Sequence, residues 1–113
     1  MSLVEECYRV TALLPARERY GLVSQIQRAA TSIPANIAEG HGSVHRRQYL
    51  RYVIMAQSSL RELETHLEIL VRVDLTSTRT VQEAVSLTGE VGRILGGLHR
   101  ALKAPPKNGP IDS

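Results

Sequence analysis

The side chains with the greatest catalytic potential are the glutamates and histidines, whose spacing can be compared with that of metal-binding helical bundles. Such bundles place a Glu-x-x-His element on each of two facing helices, with two further carboxylates nearby. Here Leu67 follows Glu64 by three residues, and Gly42 follows Glu39 by three. The histidine that this chemistry needs is therefore missing from both positions. The spacing argues against a dinuclear metal enzyme.

The remaining reactive side chains are isolated along the chain. His41 and His45 are close in sequence, but neither has a Cys or Asp beside it, as a zinc site would need. The single cysteine, Cys7, can form neither an internal disulfide nor a metal site alone. Gly40-His41-Gly42 follows a predicted helix rather than a strand, unlike a phosphate-binding loop. We expect a protein that is not an enzyme and that has no catalytic residues, metal or cofactor.

The positive charge of the chain is unevenly distributed. The net charge is only +3, and residues 1–40 contain equal numbers of arginines and acids. Residues 41–60 contain Arg46, Arg47 and Arg51 without any acid. An exposed basic band of this kind can bind phosphate groups. A solvated helix face is the alternative interpretation.

A polar row borders the apolar face of the second predicted helix. Its members recur at about every fourth residue, and we expect Arg28 to pair with Glu62 or Glu64 of the next helix. We interpret the set as a structural network that fixes helix register, with a ligand-binding or RNA-binding row as the alternative. The network comprises Ser24, Arg28, Ser32, Asn36, Glu39, Glu62 and Glu64.

Four amphipathic helices are predicted to position these side chains. The apolar spacing favours helices over about 2–14, 18–39, 43–73 and 77–103. Pro15 ends the first helix, and Ser43 is the expected N-cap of the third. The fourth begins with a capping residue at Thr76, Ser77 or Thr78.

The third and fourth helices have apolar residues at alternating steps of four and three. This repeat is typical of helices that pack along a seam at shallow angles. The seam residues are Tyr49, Val53, Ala56, Leu60, Leu63, Leu67 and Leu70, then Val81, Ala84, Thr88, Val91, Leu95, Leu98 and Leu102.

Short loops between the helices predict antiparallel neighbours. We therefore expect an all-α fold, an antiparallel up-and-down four-helix bundle over residues 1–103, followed by a disordered tail over 104–113. No stretch of 18 uncharged apolar residues is present, so we expect no membrane span and a cytoplasmic location.

The fourth helix contains an unusual number of glycines. Gly89, Gly92 and Gly96 fall on one stripe, and Gly97 follows. Each costs about 1 kcal/mol relative to Ala in a helix interior. One interpretation is that the stripe lets another helix, of the same chain or a neighbouring subunit, approach closely. The other is a locally weak helix.

Two segments resemble a bacterial protein family. They are Ser32-Ile33-Pro34-Ala35-Asn36-Ile37-Ala38-Glu39-Gly40, preceded by Glu18-Arg19-Tyr20-Gly21-Leu22, and Ser58-Ser59-Leu60-Arg61-Glu62-Leu63-Glu64-Thr65. They are similar to the signature of the proteins encoded in intervening sequences of 23S ribosomal RNA. The family usually has a longer first helix with a tryptophan, and this chain has no Trp. Two interpretations follow: the first helix is truncated, or the start codon lies further upstream.

The resemblance implies a four-helix bundle without known enzymatic activity. It also implies a homopentamer, because members are similar to the pentameric, nucleic-acid-binding accessory protein of diversity-generating retroelements. We therefore expect ribosomal RNA or a ribonucleoprotein as partner, with a protein-interaction scaffold as the alternative. The expected phosphate contacts are Arg17, Arg19, Arg46, Arg47 and Arg51.

Overall fold

A computed structural model describes residues 2–105, and four α-helices account for most of them. Helix α1 spans Ser2–Ala12, α2 spans Ser24–His41, α3 spans Arg46–Arg72 and α4 spans Thr78–Lys103. Each helix packs against its neighbours in sequence, and α1 also packs against α4. The predicted all-α four-helix bundle is confirmed.

The connection between α1 and α2 is longer than predicted. Helix α1 ends at Ala12, and tight turns follow in which the Leu13 and Leu14 amides donate to carbonyls three residues earlier. A 3-10 turn and a π-helical turn then cover residues 16–23. Gly21, with φ −102° and ψ −109°, leaves helical geometry. As a result, α2 begins at Ser24 rather than near residue 18.

The predicted cap of the third helix is wrong, and that of the fourth is confirmed. The Ser43 hydroxyl donates to the Glu39 carbonyl at 3.1 Å, so it belongs to the end of α2. The extended residue before α3 is His45, whose side chain forms no capping bond among the described residues. At α4, the Ser77 hydroxyl accepts a bond from the Thr80 amide at 3.1 Å.

The seam of α3 forms the centre of the core. Its predicted residues are fully or almost fully buried from Val53 to Leu70, whereas Tyr49 is half-buried. The seam of α4 is less uniform. Val81, Ala84, Thr88 and Leu95 are buried, but three residues are only partly covered: Val91, Leu98 and Leu102.

The short α1 explains this difference. We call the end that contains Thr11 and Thr80 the upper end, and the end where α3 begins and α4 finishes the lower end. Near the end of α1, the Arg9 guanidinium donates to the Thr80 carbonyl at 3.0 Å. Near its start, Ser2 lines the same depression as Leu87. From Leu87 towards the lower end, α1 no longer runs beside α4.

The predicted tail lies mostly outside the described residues, which end at Pro105 after α4 has finished at Lys103. Among residues 2–105, no helix combines the length and apolar character that crossing a membrane requires.

Candidate nucleic-acid interface

The five arginines predicted to bind nucleic acid do not share one surface. Arg17 and Arg19 lie in the turns that precede α2 at the upper end. Arg46, Arg47 and Arg51 lie at the start of α3, at the lower end. The 18 residues of α2 separate the two groups by roughly 27 Å, at about 1.5 Å per residue. No single band therefore contains all five.

Ion pairs occupy several arginines of the upper end. The pairs are Arg9–Glu6 at 2.7 Å, Arg17–Glu18 at 3.8 Å and Arg72–Glu68 at 3.0 Å. The hydrogen bond from the Arg9 guanidinium also lowers the pKa of the Glu6 carboxyl. These arginines have acids as close neighbours, so they are less suited to bind phosphate.

Arg46 joins the start of α3 to the end of α4. Its Nε donates to the Leu102 carbonyl at 3.0 Å, and its Nη2 donates to the carbonyls of Ala101, at 2.6 Å, and Ala104. The last carbonyls of a helix lack partners within that helix, and a cation there is favourable. The structure thus gives Arg46 a capping role at the end of α4, and its predicted phosphate contact stays a prediction.

The outer face of α3 continues the basic stripe that Arg47 and Arg51 begin. Steps of three and four from Arg51 lead through Ile54 and Ser58 to Arg61, and all five side chains are exposed. Arg61 was not predicted from the sequence because residues 61–76 carry more acids than arginines. The spacing from Arg51 was the signal that could have revealed it.

A groove of about 610 Å³ runs between α3 and α4 beside this stripe. Arg61 and Glu64 line it from α3, and Arg93 and Arg100 line it from α4. None of the three arginines forms an ion pair with any residue from 2 to 105. Arg93 and Arg100 are seven residues apart, which places them on the same face of α4. Neither of these two arginines was predicted as a phosphate contact from the sequence.

The glycine stripe of α4 forms part of the groove. A Cβ atom added to Gly92 would lie 3.5 Å from a methyl group of Leu60. At Gly89 and Gly96, an added Cβ would meet only the guanidinium of the arginine four residues later, at 3.6 and 3.4 Å. Within the described chain, no backbone of another helix approaches the stripe. The glycines therefore leave open space rather than a helix contact inside the chain.

The predicted polar network is formed only in part. The hydroxyls of Ser32 and Ser59 are hydrogen-bonded between α2 and α3, and the Asn36 amide donates to the Ser32 carbonyl at 2.8 Å. Ser59 was not among the predicted members of the network. A second bridge, also missed, joins α3 to α4 through Gln57 Oε1 and His99 Nδ1, which lie 2.8 Å apart.

The expected pairing of Arg28 with a glutamate of α3 is not formed. Ile26 and Ala30 are buried on one face of α2. Arg28 lies two residues from each of them, so its side chain is on the opposite face of the helix and is exposed. Glu62 instead lies 3.6 Å from His66 of its own helix, while Glu64 lines the α3–α4 groove.

Two members of the predicted network remain outside the Ser32 cluster. Ser24 is half-buried at the first residue of α2, and the Glu39 side chain is exposed near its end. Neither side chain is hydrogen-bonded to Ser32 or Asn36.

The reactive groups of the described chain are not arranged for metal binding or thiol chemistry. Cys7 is completely buried, and this burial raises the pKa of its thiol to about 11. Between residues 2 and 105, no three His, Cys, Asp or Glu side chains are placed to hold one metal ion.

The fold and this surface define a class of protein: a small helical bundle with an arginine-lined groove on its outside. The family model of the 23S rRNA-intervening sequence proteins matches residues 1–97, and the chain belongs to this family. The resemblance seen in α2 and α3 is thereby confirmed, and the match extends into α4. No curated protein shows a significant match to the chain.

Proposed function

We propose that the protein is a non-enzymatic, homo-oligomeric bundle that associates with nucleic acid, with ribosomal RNA or a ribonucleoprotein as the partner. One observation supports this above all. Arg47, Arg51, Arg61, Arg93 and Arg100 are exposed on α3 and α4, and none has an ion-pair partner in the described part of the chain. Arginines in this state are available to phosphate oxygens. The name of the family agrees with an RNA partner.

The proposed assembly is a pentamer, and the lower end supports self-association. Ile94 is 68% exposed on α4, between the partly buried Val91 and Leu98. Burial of this apolar stripe against another copy would remove it from water. A ring would also multiply the net charge of +3 per chain, which strengthens its attraction to a polyanion. We also propose a cytoplasmic location, which agrees with a ribosomal RNA partner.

The experiment for RNA binding is a titration of the full chain with fluorescent ribosomal RNA fragments at increasing salt. Each phosphate contact contributes about 0.7 to 0.9 to the slope of log K against log salt. We expect a steep loss of affinity with salt. The proposal would be overturned if micromolar protein gave no salt-sensitive shift.

A protein-interaction scaffold is the second candidate, and the exposure of Ile94 favours it. Its test is whether a defined protein partner remains bound after nuclease treatment, and whether that binding is lost when Ile94 is substituted.

Light scattering of the purified chain tests the proposed pentamer. We expect a mass of five chains, and a clean monomer would contradict the pentamer.

A further inference from the structure

We infer that the groove between α3 and α4 holds the sugar–phosphate backbone of the nucleic acid, with Arg61, Arg93 and Arg100 as its phosphate contacts. This inference rests on the proposed association with nucleic acid. It names a site different from the turn before α2 and from the start of α3.

The charges of the groove fit a polyanion. Three arginines line it, and Glu64 is the single acid among its lining residues. Arg61 reaches it from α3, whereas Arg93 and Arg100 reach it from α4, so cations border it on both sides. A guanidinium can donate two parallel hydrogen bonds to a phosphate group. Cations that face one another across a concave surface reinforce each other's attraction for an anion.

The floor of the groove adds a second observation. Glycine is unfavourable in a helix interior, yet the surrounding fold does not require it here. A methyl group at position 92 would contact Leu60 at 3.5 Å, which is an ordinary van der Waals distance. Alanine would therefore fit. At Gly92, the absence of a side chain leaves volume between the two helices, where a ligand can approach the backbone of α4.

The arginine side chains already lie against this floor. The guanidinium of Arg93 is 3.6 Å from the position of an added Cβ at Gly89, and that of Arg100 is 3.4 Å from the corresponding position at Gly96. The two cations therefore cover the glycines, and Arg61 stands on the other side. A phosphodiester chain that lies in the groove would meet donors from both helices.

The first test removes the groove cations by the triple substitution R61Q, R93Q and R100Q. The matched control, R28Q, R72Q and R79Q, removes the same charge from exposed arginines that lie outside the groove and are not among the expected phosphate contacts. The probes are a fluorescent uridine oligonucleotide and an RNA duplex of the same length. We expect the groove variant to bind at least one of them roughly tenfold more weakly than the control, with a salt slope lower by about 2.

The second test keeps the charge and fills the floor, with G89A, G92A and G96A combined. Because alanine favours the helix, we expect a higher Tm. We also expect severalfold weaker RNA binding, since three methyl groups occupy the groove. Unchanged binding, or a lower Tm, would overturn the role assigned to the glycines.

The two proposals fail in different ways. Wild-type protein that binds neither probe overturns the association with nucleic acid and the groove together. Wild-type protein that binds, with groove and control variants equally affected, overturns the groove alone.

Discussion

The upper and lower ends of the bundle are built from the same apolar repeat but differ in how completely it is covered. At the upper end four helices meet, and Cys7, Val10 and Leu67 are fully buried. At the lower end, among residues 2–105, only α2, α3 and α4 continue, and Ile94 is 68% exposed. A regular apolar repeat therefore forms a closed core only where each apolar helix face packs against another helix. The apolar surface around Ile94, which we propose for self-association, lies where this condition fails.

The largest effect should come from shortening a side chain of the closed core. Leu67 is completely buried, so Leu67→Ala should lower the free energy of unfolding by about 2–5 kcal/mol. In the monomeric chain, Ile94→Ala at the open end should change it by less than about 0.5 kcal/mol. Urea denaturation of both variants, at a protein concentration where the chain is monomeric, measures the contrast. An equally large cost at Ile94 in the monomer would show that the chain itself covers the open end.

An intermediate effect is expected at the junction of α3 and α4. Arg46→Met keeps much of the side-chain length but loses the bonds to three carbonyls. We expect a loss of about 1–3 kcal/mol and faster amide exchange in the last turn of α4. Arg47→Met is the control, because Arg47 is exposed. A similar loss in both variants would contradict the capping role of Arg46.

The smallest effects are expected from the same substitution, glycine to alanine, at two positions of the lower end. A Cβ at Gly40 would lie 2.9 Å from the ring of Tyr49 and 3.0 Å from Tyr52 Cβ. Gly40→Ala should therefore destabilise the fold by about 1 kcal/mol, since overpacking outweighs the gain in helix propensity. At Gly97 the nearest atom is 3.9 Å away, so Gly97→Ala should stabilise it by about 0.4–1 kcal/mol. Thermal melting measures both, and shifts of the same sign would contradict this packing.

The helices could be predicted because their apolar periodicity is a local property of each segment. The six residues from Val53 to Leu70 on the predicted seam of α3 are all buried. Helix starts were predicted less well. Ser43 has the chemistry of an N-cap, but its hydroxyl bonds backwards to Glu39. Gly21 permits a conformation that apolar spacing does not reveal.

The site was harder to predict because it depends on which helix ends meet. The separation of Arg17 from Arg47 follows from the antiparallel order, and the sequence contained that information. The bonds of Arg46 depend on the end of α4, which is 55 to 58 residues away in sequence. The groove combines Arg61 with Arg93 and Arg100, and no pattern within a single helix reveals such a combination.

The shortness of α1 also bears on the order in which the chain folds. Helices α2 and α3 are joined by a short turn, so the entropy lost in bringing them together is small. The hydrogen bond from Arg9 to Thr80 spans 71 residues, and an isolated helix of 11 residues is marginal in water. We therefore expect the neighbouring helices α2, α3 and α4 to pair first, and α1 to gain its structure by docking on them. In the native state, α1 should be the first helix to detach, exposing the Cys7 thiol before the rest of the bundle unfolds.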